Sequence, residues 1–212
     1  MQAEEQIQSI RTQIQNCQEC PLFVGRFKSV PGEGPATSQI MFIGEGPGYN
    51  ENEQGKPFVG QAGKFLDELL AHAGLARSEV FITNVVKCRP PNNRDPEPAE
   101  LSACRKYLDA QIETINPSVI VTLGRFSMAR FINNGKISQI HGYPRKVDGR
   151  TIVTMYHPAA ALHQPDLRQP LLDDFARLRK LLNQPSEVQS LQTAPEPPKV
   201  NEEKPPEQLS LF

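Results

Sequence analysis

Cys17, Cys20, Cys88 and Cys104 are the only thiols in the chain. A C-x2-C pair, a third cysteine in a proline-rich run and a fourth 16 residues beyond it read as the ligands of one four-thiolate site. Four soft donors suit zinc or an iron–sulfur cluster, and spacing does not choose between them. Disulfides would need an oxidising compartment, whereas the N-terminus MQAEEQIQSI has neither the basic nor the apolar region of a secretory signal. The expected setting is therefore cytoplasmic and reducing. Either centre would tie the segment around Cys17 to residues 87–96 and fix the arginine beside Cys88, a structural role rather than electron transfer.

A second set of groups is polar and aromatic. Gly44-Glu45-Gly46-Pro47-Gly48 follows an apolar run directly, and three glycines with a proline can neither extend a strand nor open a helix. The N–H groups of such a turn suit anionic or carbonyl oxygens, with Glu45 held against whatever binds. Phe58, in a second segment bounded by glycine and proline, offers an aromatic face. Asn84 closes another apolar run. Its amide donates and accepts at once, so it pairs with a base edge showing N–H beside C=O, as uracil does, and mismatches cytosine's N beside NH2. His157, held extended by Pro158, can donate a hydrogen bond to an oxygen gaining negative charge. His72, His141 and His163 lack comparable settings.

These groups need a scaffold that collects them. Ile7, Ile10 and Ile14 mark an amphipathic helix over residues 3–16, and residues 61–73, 97–115, 125–133 and 170–182 read as further helices. Apolar runs at 39–43, 80–86, 118–123 and 151–155 read as strands, and residues 140–149 as an irregular or hairpin connection turning at Asp148-Gly149. Strands alternating with helices predict an α/β fold with a parallel sheet covered on both faces. Its ligand edge should gather Gly44, Asn84, Gly124 and His157. Residues 87–96 are too rich in proline for helix or central strand and form a loop carrying Lys87, Arg89 and Arg94.

A chain of 212 residues with 38% hydrophobic content can bury one full core. No window approaches the roughly 20 apolar residues of a membrane span. The net charge is −1, but from residue 183 onward two lysines face five glutamates, so residues 1–182 are mildly basic and compatible with DNA. Six prolines and few apolar residues predict disorder over 183–212, until Leu209, Leu211 and Phe212 break the pattern.

GEGPG followed by KPFVGQAG, then TNVVKCRPPNNRDP, then YHPAA, together with the four cysteines, resembles the family 4 uracil-DNA glycosylases, over about residues 10–182. The resemblance implies a three-layer α/β/α sandwich around a four-stranded parallel sheet. It also implies a 4Fe-4S cluster on Cys17, Cys20, Cys88 and Cys104, and hydrolytic excision of uracil from DNA. By the same analogy Gly44, Glu45 and Gly46 contact uracil, Phe58 stacks on it, Asn84 reads its edge and His157 lies at its O2. A buried base must be flipped out, and uracil opposite guanine costs least. Glu45 is the first candidate to position the attacking water and Glu51 the second. Family members often carry further acids after GPG, where this chain has Tyr49-Asn50.

Arg89, Arg94 and Lys87 are expected to bind phosphates, and Leu162 to fill the vacated base stack. A related branch traps uracil DNA covalently through a histidine in a basic loop; residues 87–96 hold none, which favours turnover. The alternatives are a non-catalytic or covalent uracil-DNA sensor and a cluster acting as redox switch. Gln208-Leu209-Ser210-Leu211-Phe212 looks like the pentapeptide with which bacterial repair proteins bind the polymerase sliding clamp. The expected partners are uracil-containing DNA and that clamp, with the chain itself monomeric.

Overall fold

The computed structural model describes residues 2–183. In chain order its elements are α1 (Gln2–Asn16), β1 (Ile40–Gly44), α2 (Tyr49–Gln54), α3 (Gln61–His72), β2 (Phe81–Asn84), α4 (Pro98–Ile115) and β3 (Val119–Leu123). There follow α5 (Arg125–Ala129), α6 (Ile137–Ile140), β4 (Pro144–Val147), β5 (Arg150–Met155), α7 (Pro158–His163) and α8 (Arg168–Asn183).

The strands form one sheet in the order β2-β1-β3-β5-β4. Alternate residues of β1 face opposite cores: Ile40 and Phe42 meet the apolar stripes of α3 and α8, while Met41 and Ile43 meet those of α1 and α4. Ile7, Ile10 and Ile14 are all buried, as their spacing demands. Helices therefore cover both faces, and the expected three layers are present.

The sheet corrects the expected four parallel strands. It has five, with β4 antiparallel to β5 as Pro144 pairs with Val153 and Val147 with Arg150. The hairpin turns at Asp148 and Gly149, both at positive φ (49° and 78°), as a two-residue turn between twisted strands requires. The hairpin and its turn are among the readings of residues 140–149, but its first strand is not counted in the sheet because it lies at the edge and carries Pro144, Arg145 and Lys146 with little burial. Its opening proline is tolerated there because no inner neighbour needs that N–H.

Four strand ends meet at the carboxyl edge. Gly44 pairs with Asn84 across β1 and β2, and the Gly124 N–H donates to Met155 O at 2.9 Å, two residues before His157. Such an edge is where an open α/β sheet binds ligands. Among the described residues no helix is long and apolar enough to cross a membrane.

Candidate active site at the carboxyl edge of the sheet

A cleft of about 310 Å³ opens at this edge, walled by Glu45, Gly46 and Gly48 from the glycine turn, Pro90 and Asn93 from the loop after β2, and His157. Asn84, the last residue of β2, is almost fully buried and lies outside that lining. Its Oδ1 has no hydrogen-bond partner, and an unpaired buried acceptor costs about 1–3 kcal/mol unless a ligand supplies the donor. A Cβ on Gly44 would sit 2.4 Å from that Oδ1 and 2.6 Å from the Phe58 ring. Amide and ring thus meet over Gly44, and only glycine leaves the space open. The Phe58 ring in turn stacks beside His157, with centroids 5.5 Å apart.

Phe58 is held in left-handed backbone, φ 51°, which an aromatic residue adopts only under restraint. Three restraints are visible. Arg77 donates to Phe58 O at 3.2 Å and Pro57 O at 2.6 Å. Gly63 lets the carbonyl approach, since a Cβ there would lie 2.0 Å from Phe58 O. The Glu51 carboxylate accepts from Val59 N (2.8 Å), Gly60 N (2.9 Å) and Gly48 N (3.1 Å), clamping the two glycine-rich segments together. With its oxygens so engaged, Glu51 braces the two segments.

Glu45 is half-buried in the cleft wall. Burial, and then the nearby Asp95, raise its carboxyl above the ordinary range, against a smaller opposing pull from Arg125. A carboxylate of raised pKa is a better base but must still be ionised to act. The acid limb of activity should therefore lie above the pH at which an exposed glutamate titrates. In a profile of kcat/KM against pH, Glu45→Gln is expected to remove that limb and lower the plateau by about 10²–10⁴; an unchanged limb would assign it to another group.

His157 caps α7, its Nδ1 accepting from Ala159 N at 3.1 Å. In the neutral ring the proton must then sit on Nε2, leaving that atom as the donor. Burial pushes the imidazole down to about 4, although Glu51 pulls weakly the other way. At neutral pH the ring is an uncharged donor.

The four cysteines line one mostly apolar pocket of only about 10 Å³, together with Arg26, Lys87 and Tyr107. Among the described residues no three such side chains are close enough to hold a single metal ion. Arg26 approaches Cys88 Sγ through Nη1 at 3.4 Å, and buried Lys87 adjoins Cys104. Two cations beside four sulfurs are the setting an anionic thiolate group needs, so the residues fit such a centre. Burial first, then neighbouring thiols, raise Cys20, Cys88 and Cys104; Cys104 reaches about 11, opposed by Lys87. A bound centre would therefore have to displace protons.

Lys87 departs from expectation. Its side chain is buried, with Nζ donating to Thr83 Oγ1 (2.6 Å), Asn84 O (2.8 Å) and Gln111 Oε1 (2.8 Å). An ammonium enclosed beneath the sheet edge cannot reach a phosphate, so Lys87 leaves the phosphate-binding set and instead fixes the backbone of Asn84. Arg94 makes a two-pronged contact with Glu100 (2.7 and 2.9 Å), which pins the loop and offsets its charge. Arg89 lies over the Tyr49 ring, and Leu162 is exposed on α7. Arg26, Arg77 and Gln111 carried no local signal, because each acts on segments distant in sequence, whereas Glu51, the second water-positioning candidate, holds backbone N–H groups instead. The tail and its terminal pentapeptide lie outside the described residues.

The model of the family described as the uracil DNA glycosylase superfamily matches residues 31–181, which leaves Cys17 and Cys20 before its start. The chain is 46% identical to a type-4 uracil-DNA glycosylase of Sulfurisphaera tokodaii, over 84% of this chain and 85% of that protein. It is 44% identical to the type-4 enzyme of Archaeoglobus fulgidus, covering 84% and 94% of the two chains. For the type-4 enzyme of Thermotoga maritima the identity is 41%, covering 84% and 96%.

Proposed function

The chain belongs to the uracil-DNA glycosylase superfamily, and on that premise we propose how it excises uracil from DNA to leave an abasic site. The observation that carries the reading is the meeting of Asn84, Phe58 and His157 at one point, with the Asn84 Oδ1 unpaired and awaiting an N–H. An extruded uracil donates its N3–H to that oxygen and accepts at O4 from the same amide, stacks on Phe58, and lies among the N–H groups of Gly44 to Gly46. Breaking the N-glycosidic bond sends an electron pair onto the ring. The His157 Nε2–H donates toward O2 and stabilises that charge, while Glu45 orients the water that attacks the cationic sugar. Arg89 and Arg94 face phosphates and Leu162 enters the vacated stack.

The test is incubation of full-length protein with uracil-, thymine- and hypoxanthine-containing oligonucleotides, followed by cleavage at abasic sites. Strand scission at uracil and none at thymine is expected. A complex that survives denaturation without scission would establish the covalent sensor instead.

We further propose that Cys17, Cys20, Cys88 and Cys104 hold a 4Fe-4S cluster. It would cross-link α1, α4 and the loop after β2 and supply no step of the hydrolysis. What supports a cluster over zinc is the spread of the thiols around a pocket rather than about one point; iron and sulfide analysis of the purified protein tests it. Residues 1–182 would form this catalytic unit, acting as a monomer in the cytoplasm, and 183–212 a tether. The terminal Gln208 to Phe212 would dock on the sliding clamp, raising the local concentration of enzyme on DNA. A chain ending at Pro206 should lose clamp affinity; undiminished binding removes the idea.

A further inference from the structure

Tyr49 opens α2 immediately after the cleft-lining Gly48, and Arg89 immediately precedes the cleft-lining Pro90. The two come together at the rim: the Arg89 guanidinium lies over the Tyr49 ring, 5.3 Å from its centroid. Arg89 is fixed from a second side, its Nε donating to Asn93 Oδ1 at 2.8 Å. Asn93 itself sits in left-handed backbone, φ 55°, which orients that side chain. Although the guanidinium covers part of it, Tyr49 remains 59% exposed, one of the few large apolar side chains in the described residues that is. An exposed aromatic ring backed by a pinned guanidinium offers a flat face on which a base can stack.

We propose that Tyr49 and Arg89 form a stacking platform for the base next to the extruded uracil on the same strand. This rests on the reading of the cleft as a uracil pocket. Leu162 stands on α7, the wall contributed by His157, whereas Tyr49 and Arg89 belong to the wall built from the glycine turn and the loop after β2. A strand that delivers its base to the cleft must carry a flanking nucleotide past that second wall. An aromatic face accepts any base, and the guanidinium reaches the adjoining phosphate. The platform needs an unstacked neighbour, so it acts on single-stranded uracil DNA and far less on duplex, where that neighbour remains in the helix.

The experiment measures KM and kcat for Tyr49→Ala and Tyr49→Phe in the full-length protein, on single-stranded and duplex uracil substrates. Binding is followed in parallel with a single-stranded oligonucleotide carrying 2-aminopurine beside a uracil whose 2′-fluoro sugar resists cleavage. Tyr49→Ala should raise KM on the single strand about tenfold with kcat nearly unchanged, as loss of one stacked base predicts, and should abolish quenching of 2-aminopurine on one side of the uracil. Tyr49→Phe should retain both properties because the ring, not the hydroxyl, does the stacking. A KM within twofold of the parent, an equal loss on duplex, or a Phe variant as impaired as Ala would overturn the proposal. A parent protein that releases no uracil would instead overturn the reading of the cleft, a separate outcome.

Discussion

Replacing Asn84 with aspartate is expected to lower uracil excision by about three orders of magnitude, close to 4 kcal/mol of transition-state stabilisation. The substitution is nearly isosteric, so Gly44 and Phe58 keep their places around residue 84. What changes is the pattern of donors. The Asn84 amide sits almost fully buried with its oxygen unpaired, an acceptor that a ligand N–H would satisfy. An ionised carboxylate keeps the acceptor for N3–H but turns an oxygen toward uracil O4, and a site built to donate loses its substrate when the donor goes. Protonated, the same carboxyl can donate to cytosine N3 and accept from its N4 amino group, so a trace of activity on cytosine should appear as that on uracil falls. Single-turnover rates on the two substrates, beside a thermal melt, separate this from unfolding. A variant within tenfold of the parent on uracil would remove Asn84 from the reading of the base.

His157→Ala is the second large effect, expected to reduce kcat by about 10²–10³, the loss of one preorganised donor to a developing oxyanion. The pH dependence distinguishes this role from that of a general acid. Burial holds the imidazole at about 4, below its ordinary value near 6.5. The ring is therefore neutral across the working range, and the parent profile should show no inflection from it near 6.5. A group whose folded pKa is depressed contributes stability that is fully present above the unfolded value and is lost as pH falls toward the folded one. For His157 that window runs from about 6.5 down to about 4, so acid should weaken the fold there, and the alanine variant should be less sensitive. Proton NMR of the imidazole over this range checks the value directly. A titration near 6.5 would mean a charged donor and a different electrostatic account.

Much of this was legible along the chain because it is encoded locally. The spacing of Ile7, Ile10 and Ile14 specifies a buried stripe whatever it packs against. The glycines and proline after β1 force a turn, and the apolar runs read at 39–43 and 80–86 became paired strands that end at Gly44 and Asn84. The hairpin turn at Asp148-Gly149 was legible, but β4 was not counted as a strand because an edge strand with one exposed side has no apolar signature, and Lys87 was misread because a lysine in a charged loop is ordinarily solvated. Neither residue type nor spacing reveals that Thr83, Asn84 and Gln111 would supply three acceptors to one ammonium.

By itself, then, the sequence determined four of the five strands and the longer helices, how many thiols a metal centre could draw on, and which polar side chains stood near strand ends. Those depend on backbone preference and periodicity, which are properties of neighbours in the chain. Tertiary structure alone decided that Phe58 would hold a strained backbone under Arg77 and Glu51, that Lys87 would brace rather than bind, and that Tyr49 would stand beside Arg89 at the rim. Each of these is a matter of what distant segments bring to the same point, and burial and partnership exist only once the chain has closed on itself.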